Sequence, residues 1–153
     1  MREKKKTEEL DQILGSMNPD KIREYLDENA DSIYTADKAF TMYMREMFRQ
    51  KGYSQQEVFI RADMPERYGY KIVSGEKHTK VRDVILKLCL ASQFDLTETN
   101  RALKLYGMSE LYSKIPRDAA IIVALNSRMG NIDEVNGLLK ANGFEELYSF
   151  EID

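Results

Sequence analysis

Hydrogen-bonding and cationic side chains recur through residues 54–80, which begin SQQEVFIRADMPERYGYKIVSG. Residues 54–93 carry seven basic and five acidic side chains and are net-basic, whereas residues 1–53 and 94–153 are both net-acidic. This is the sign expected of a segment that contacts phosphate. The net charge of the whole chain, −3, argues against a protein that coats nucleic acid nonspecifically.

The sequence shows no pattern typical of an active site or a metal site. His78 and Cys89 are the single histidine and cysteine, and they form no metal-binding motif. There is no glycine-rich phosphate loop and no nucleophile elbow. Asp83 and Asp118 each follow an arginine at the start of a helix, where a carboxylate favours the positive end of the helix dipole. We therefore expect no enzymatic activity, no catalytic residues, no metal and no cofactor.

Length and composition indicate one domain of a cytoplasmic protein. The chain has 153 residues, of which 42% are hydrophobic and 32% charged, values that exclude a disordered chain and a membrane protein. The longest apolar run, residues 119–125, is far too short to span a bilayer. Residues 1–10 are not followed by the apolar region of a secretory signal. A single cysteine suits a reducing compartment.

The apolar spacing predicts an all-α fold. A short helix is expected over residues 7–15, and Asn18 before Pro19 is typical of a helix start. The next helix is expected to begin at Thr35, with Asp37 in its first turn, and to end at Gly52. No segment shows the sustained alternation of a strand.

The second half contains an internal repeat. Residues 82–112 and 117–148 share twelve identical positions when one residue is inserted in the second copy. Each copy reads as a helical hairpin that ends in Gly-x-x-Glu-Leu-Tyr, so we expect two stacked hairpins around one core. Tyr112 and Tyr148 end equivalent hairpins, where we expect them to anchor the end of each copy.

The repeat also indicates the conformation of AAIIVAL, residues 119–125. Its counterpart, VILKLCL, has apolar residues at helical spacing and carries Lys87, which we expect to be solvated. Both segments are therefore predicted to be helices. Because Ile122 stands where the first copy has Lys87, the second copy carries extra apolar surface. Either the N-terminal helices cover it, or the helix at 117–128 forms a homodimer interface.

Residues 42–95 resemble the lambda-repressor-like family of helix-turn-helix domains, also called Cro/C1-type or Xre-type. Ser54-Gln55-Gln56-Glu57-Val58 is similar to the family's Ser/Thr-Gln-x-Glu-hydrophobic opening of its second helix. Phe94-Asp95-Leu96 resembles the start of the fifth helix, and Leu86 with its apolar neighbours resembles the fourth. The turn, the buried recognition-helix positions and the terminating glycine are matched by Ala62, Met64, Ile72, Ser74 and Gly75.

The resemblance implies roles for the basic segment. A recognition helix at residues 65–73 would lie in the major groove, with Arg67, Tyr70 and Lys71 reading bases. Glu66 would also face outward, where it could accept from cytosine or repel phosphate. Contacts to the DNA backbone would come from Gln55, Lys77, His78 and Lys80.

Three residues depart from the family pattern. Phe59 stands where the family has a small residue, and Asp63 replaces the glycine of the turn, so positive φ is expected there. Gly69 lies inside the recognition helix, at a cost of about 1 kcal/mol relative to alanine. We expect the Phe59 ring to fill the space that Gly69 leaves.

The sequence thus predicts an all-α bacterial protein in three segments packed as one globular unit. They are an N-terminal helical extension at 1–35, a helix-turn-helix core at 36–96 and a C-terminal hairpin at 97–153. The expected function is a DNA-binding transcriptional regulator that pairs as a homodimer on double-stranded DNA. The alternative is a helical adaptor that binds a protein partner through Tyr68 and Tyr70. The basic N-terminal residues Arg2 and Lys4 to Lys6 are interpreted either as a solvated tail or as an arm that contacts phosphates.

Overall fold

The structure is a computed structural model that describes residues 5–30 and 38–150. The chain divides into two compact units, Met1–Lys38 and Ala39–Asp153, so the predicted segments 36–96 and 97–153 fall largely within one unit. Every regular element in the described ranges is helical, which confirms the all-α prediction. No helix in these ranges is long and apolar enough to cross a bilayer.

The first unit contains two short helices and a 3-10 turn. Helix α1 spans Thr7–Gly15, the 3-10 turn spans Pro19–Lys21 and α2 spans Ile22–Glu28. The Asn18 side chain accepts a hydrogen bond from the Asp20 N–H at 3.0 Å, which confirms the predicted start. Lys5 Nζ donates to Asn29 Oδ1 at 2.5 Å. Arg2 and Lys4 lie outside the described residues.

The second unit consists of seven helices over its described residues. Helix α3 ends at Lys51, before Gly52, as predicted, while its predicted start at Thr35 lies outside the described residues. Residues 119–125 lie within a helix, which confirms the reading drawn from the repeat. The helices are α3 (Ala39–Lys51), α4 (Gln55–Arg61), α5 (Glu66–Ser74), α6 (Arg82–Ala91), α7 (Leu96–Leu105), α8 (Pro116–Asn126) and α9 (Ile132–Ala141).

Helix α6 forms the centre of this unit. Its residues 84–91 are all buried, and it packs against α4, α7 and α9. The burial includes Lys87, so the expectation that this residue is solvated was wrong. Apolar side chains from all seven helices, among them Phe48 and Phe59, form one continuous core around it together with Phe94 from the α6–α7 turn.

The two sequence repeats fold as equivalent hairpins, α6 with α7 and α8 with α9. Each hairpin ends in the same way. Asn100 Oδ1 accepts from the Leu111 N–H at 2.9 Å, and Asn136 Oδ1 accepts from the Leu147 N–H at 2.8 Å. The repeat detected in the sequence therefore extends to individual hydrogen bonds.

The arginine that begins each repeat forms an ion pair with the aspartate that begins the other repeat. Arg82 of the first copy pairs with Asp118 of the second. Arg117 of the second copy binds Asp83 of the first through two bonds of 2.8 and 2.9 Å. Asp118 is only 1% exposed. These carboxylates therefore hold the hairpins together, a role that the helix dipole alone does not explain.

The same carboxylates fix the end of each hairpin. Asp118 Oδ2 accepts from the Tyr112 N–H at 3.0 Å, and Asp83 Oδ2 accepts from the Tyr148 N–H at 3.0 Å. The tyrosine side chains themselves remain about half exposed. The expected anchors are thus backbone N–H groups rather than rings, and the buried side chains beside them are Leu111 and Leu147.

Phe59 and Gly69 compensate as predicted. Phe59 is fully buried, and a Cβ on Gly69 would lie 2.5 Å from its ring. Helices α4 and α5 therefore pack through a large ring on one side and a missing side chain on the other.

We predict that Gly69→Ala destabilises the protein by up to about 2 kcal/mol. Overpacking against Phe59 costs about 1–3 kcal/mol and outweighs the roughly 1 kcal/mol that alanine gains in a helix. Gly137→Ala in α9 is the matched control, because nothing lies within 4 Å of the added Cβ. It should stabilise the protein by about 0.5–1 kcal/mol. Urea denaturation measures both free energies of unfolding, and equal effects would contradict this packing.

Removing the Asp118 carboxylate should destabilise the protein strongly. Asp118→Ala leaves the Arg82 guanidinium and the Tyr112 N–H without their partner, a loss of about 3 kcal/mol. The double variant Arg82→Ala/Asp118→Ala should lose less than the sum of the single variants, because neither charge is then left unpaired. A thermodynamic cycle from denaturant unfolding measures this coupling, and strictly additive losses would argue against the pair.

Candidate nucleic-acid interface

The amino-terminal end of α4 is fixed by a side-chain cap. Ser54 Oγ accepts from the Glu57 N–H at 3.1 Å, which confirms the predicted cap. Gln55, the first residue of α4, is partly exposed beside this cap. Gln55 therefore lies at a helix end, where side chains and backbone N–H groups commonly contact phosphate.

The turn between α4 and α5 has the backbone that the sequence suggested. Asp63 adopts φ 54°, as expected for the residue that replaces a glycine. The Met64 N–H donates to Phe59 O at 3.0 Å and the Asp63 N–H donates to Ile60 O at 3.1 Å. These two bonds close the carboxyl end of α4 and set the direction in which α5 leaves.

Helix α5 has one buried and one open face. Gly69, Ile72 and Val73 are buried, and the helix ends at Gly75 with φ 84°. A depression of about 610 Å³ lies along the open face, lined by Glu66, Arg67, Tyr70, Lys71 and Glu76.

The cations of this face are unpaired. The Arg67 and Lys71 side chains form no hydrogen bond or ion pair with any residue that the structure describes. The Glu66 carboxylate accepts a long bond from Gln56 Nε2 at 3.4 Å. Two cations and two carboxylates therefore line the depression, so its formal charge is zero.

Aromatic contacts hold the loop that follows α5. The His78 ring stacks on Tyr106 with 4.2 Å between centroids, and the Thr79 N–H donates to Tyr106 Oη at 2.8 Å. Burial raises the pKa of Tyr106. Lys77 Nζ lies 5.2 Å from the Tyr68 ring centre, and Lys80 is exposed. His78 is thus engaged with the protein, while Lys80 is open to solvent.

The two tyrosines of α5 have different surroundings. Tyr68 packs against Phe150 with 4.9 Å between ring centres. Tyr70 meets the edge of Phe59 at 4.9 Å and remains 41% exposed. Only Tyr70 therefore offers substantial aromatic surface on the open face.

Lys87 has a structural role that the sequence did not predict. It is 2% exposed, and its ammonium donates to Tyr148 O at 3.0 Å and to Asp63 O at 3.4 Å. It also lies 5.1 Å from the Phe150 ring centre. Burial lowers the pKa of Lys87, although Asp63 and Asp83 partly oppose the shift. The apolar Ile122 at the equivalent repeat position was the available signal.

The single cysteine lies in the core of the second unit. Cys89 is fully buried, and burial raises the pKa of its thiol. Within residues 5–30 and 38–150, no three histidine, cysteine, aspartate or glutamate side chains form a group that could hold a metal.

Comparisons of the chain with protein-family models, with curated proteins and with solved structures gave no match.

We predict that Lys87 makes stability depend on alkaline pH. Because its pKa is lowered in the folded state, the unfolded chain binds this proton over a range in which the folded chain does not. The contribution of Lys87 to stability is therefore smallest below its lowered pKa and increases as pH rises toward the ordinary lysine value. Denaturant unfolding across this range should show the increase in the wild type but not in Lys87→Met.

Lys104→Met is the control for this comparison. Lys104 is an exposed lysine on α7, so its removal should leave the shape of the pH profile unchanged. Parallel profiles for Lys87→Met and the wild type would refute the assignment.

Proposed function

We propose that the protein binds double-stranded DNA through α5, as a regulator of the Cro/C1 helix-turn-helix type. The observation that carries the proposal is the open face of α5. There, Arg67 and Lys71 are unpaired on either side of the half-exposed Tyr70. An α-helix that presents such side chains can enter the major groove, where arginine and lysine donate to guanine.

The neighbouring residues suit contacts with the DNA backbone. Gln55 lies at the capped end of α4, and Lys80 is open to solvent beyond α5. Lys77 and His78 are held by aromatic rings, which limits the entropy lost when they contact phosphate. In this mechanism Arg67, Tyr70 and Lys71 read bases, while these four residues set the register.

The proposed regulator acts as a dimer, because two modules on two half-sites bury more surface than one. Helix α8 offers a partly apolar face for this pairing, with Val123 52% exposed and Ile122 partly buried.

A protein-binding adaptor is the second candidate function. It is favoured by the zero formal charge of the depression on α5, where Glu66 and Glu76 balance the two cations. Such a surface, with Tyr70 at its centre, suits a protein partner of mixed charge better than a uniformly anionic one.

We predict salt-sensitive DNA binding that depends on α5. Fluorescence anisotropy of a labelled mixed-sequence duplex should show affinity that falls steeply with salt, since binding releases counterions. Arg67→Ala/Lys71→Ala should lose this binding, because the variant removes both cations that face the groove.

Arg101→Ala/Lys104→Ala is the matched control. It removes one arginine and one lysine from the exposed side of α7 and should bind like the wild type. Absence of binding near roughly 50 mM salt would refute the DNA proposal and favour the adaptor. Equal loss in both double variants would show a general charge effect instead of recognition by α5.

A further inference from the structure

A polar cleft lies away from the open face of α5. Its volume is about 490 Å³, within the range of about 300–1,000 Å³ that small-molecule sites occupy. The carboxyl end of α4, the α6–α7 turn and the α8–α9 turn meet there. The lining residues that carry the argument are Arg61, Asp63, Gln93, Arg128, Gly130 and Glu134.

Three residues of unusual backbone conformation meet in this cleft. Asp63, Gln93 and Arg128 have φ values of 54°, 62° and 59°, and they are the non-glycine residues with positive φ in the part of the chain that the structure describes. All three line the same cleft. Each of them follows the end of a helix, α4, α6 or α8, and its N–H donates back into that helix, so the left-handed residue closes the helix end. Three helix ends therefore meet at this cleft.

The two arginines of the cleft are held by backbone carbonyls and not by carboxylates. Arg61 Nε donates to Ala91 O at 2.8 Å, and its guanidinium lies 4.8 Å from the Tyr53 ring centre. Arg128 Nη1 donates to Gln93 O at 3.1 Å. Each guanidinium is therefore fixed in position and keeps further N–H groups for another acceptor.

Gly130 lets donor groups converge. A Cβ at this position would collide with the Gln93 side-chain amide and would lie 2.8 Å from Arg61 Nη2. The amide and the guanidinium thus approach the same point, where a glycine leaves room for both. Neither the Gln93 side-chain amide nor Arg61 Nη2 has a protein acceptor among the described residues.

Three carboxylates line the cleft, those of Asp63, Asp133 and Glu134, and none of them forms an ion pair with its arginines. Asp133 and Glu134 line the cleft but form no ion pair with any described residue, although two guanidinium groups share the space. At the start of α9 the backbone N–H groups of Asp133 and Glu134 both donate to Asn131 Oδ1. Opposite charges therefore face one cavity without neutralising each other.

We propose that this cleft binds a small zwitterion of the α-amino acid class. Its carboxylate would accept from Arg61, Arg128 and the Gln93 amide, and its ammonium group would donate to Asp133 and Glu134. Charge-assisted bonds at both ends would repay the desolvation of a polar ligand. The inference does not depend on DNA binding, and its test contains no DNA.

The test is an NMR titration of the ¹⁵N-labelled full chain with each of the standard amino acids at millimolar concentration. At least one should shift the backbone amides of residues 61–63, 93 and 128–134. The N-acetylated form and the amide of the same amino acid, each lacking one charge, should bind at least about tenfold more weakly.

Three variants locate the site. Arg128→Gln keeps an amide donor but loses the charge, so it should weaken binding by about tenfold or more. Gly130→Ala should abolish binding by displacing Gln93 and Arg61. Arg101→Gln on α7 should bind like the wild type.

Three results would overturn the proposal. One is the absence of shifts at these amides with every amino acid tested. The other is equal affinity for the singly charged analogues, which would show that the ligand need not carry both charges. An unchanged affinity in Arg128→Gln would likewise exclude this cleft.

Discussion

The exchange of Arg–Asp pairs between the two repeats is the interaction on which the rest of the second unit depends. Asp118 is almost fully buried, and it binds both Arg82 and the Tyr112 N–H. Asp83 does the same with Arg117 and the Tyr148 N–H. Breaking a buried pair of this kind costs about 3–5 kcal/mol. An exposed pair such as Arg49 with Glu46 contributes far less, because water screens the two charges.

The exchanged pairs position α6, and α6 positions the surfaces proposed to bind ligands. Lys87 on this helix binds the carbonyl of Asp63 in the α4–α5 turn and that of Tyr148 near the end of the chain. The orientation of α5 and the position of the C-terminal residues are therefore coupled through one buried ammonium. The polar cleft depends on the same framework, because Gln93 after α6 lines it and Ala91 O at the end of α6 holds Arg61.

Local signals predicted much of this structure. The caps at Asn18 and Ser54, the positive φ of Asp63 and the contact between Phe59 and Gly69 follow from residue type and short-range geometry. The reciprocal pairing and the burial of Lys87 depend on which distant segments approach each other. Helical spacing alone does not encode that approach. The polar cleft was missed for the same reason, since it joins residues from three separate turns.

The contacts of Tyr148 also bear on the order in which the chain is made. The ribosome releases the amino end of a chain first. Asp83 therefore emerges well before Tyr148, the residue 65 positions later whose N–H it binds. The carbonyl that Lys87 binds, that of Tyr148, likewise lies 61 positions downstream. The central helix therefore cannot acquire its full set of partners until residue 148 has left the ribosome.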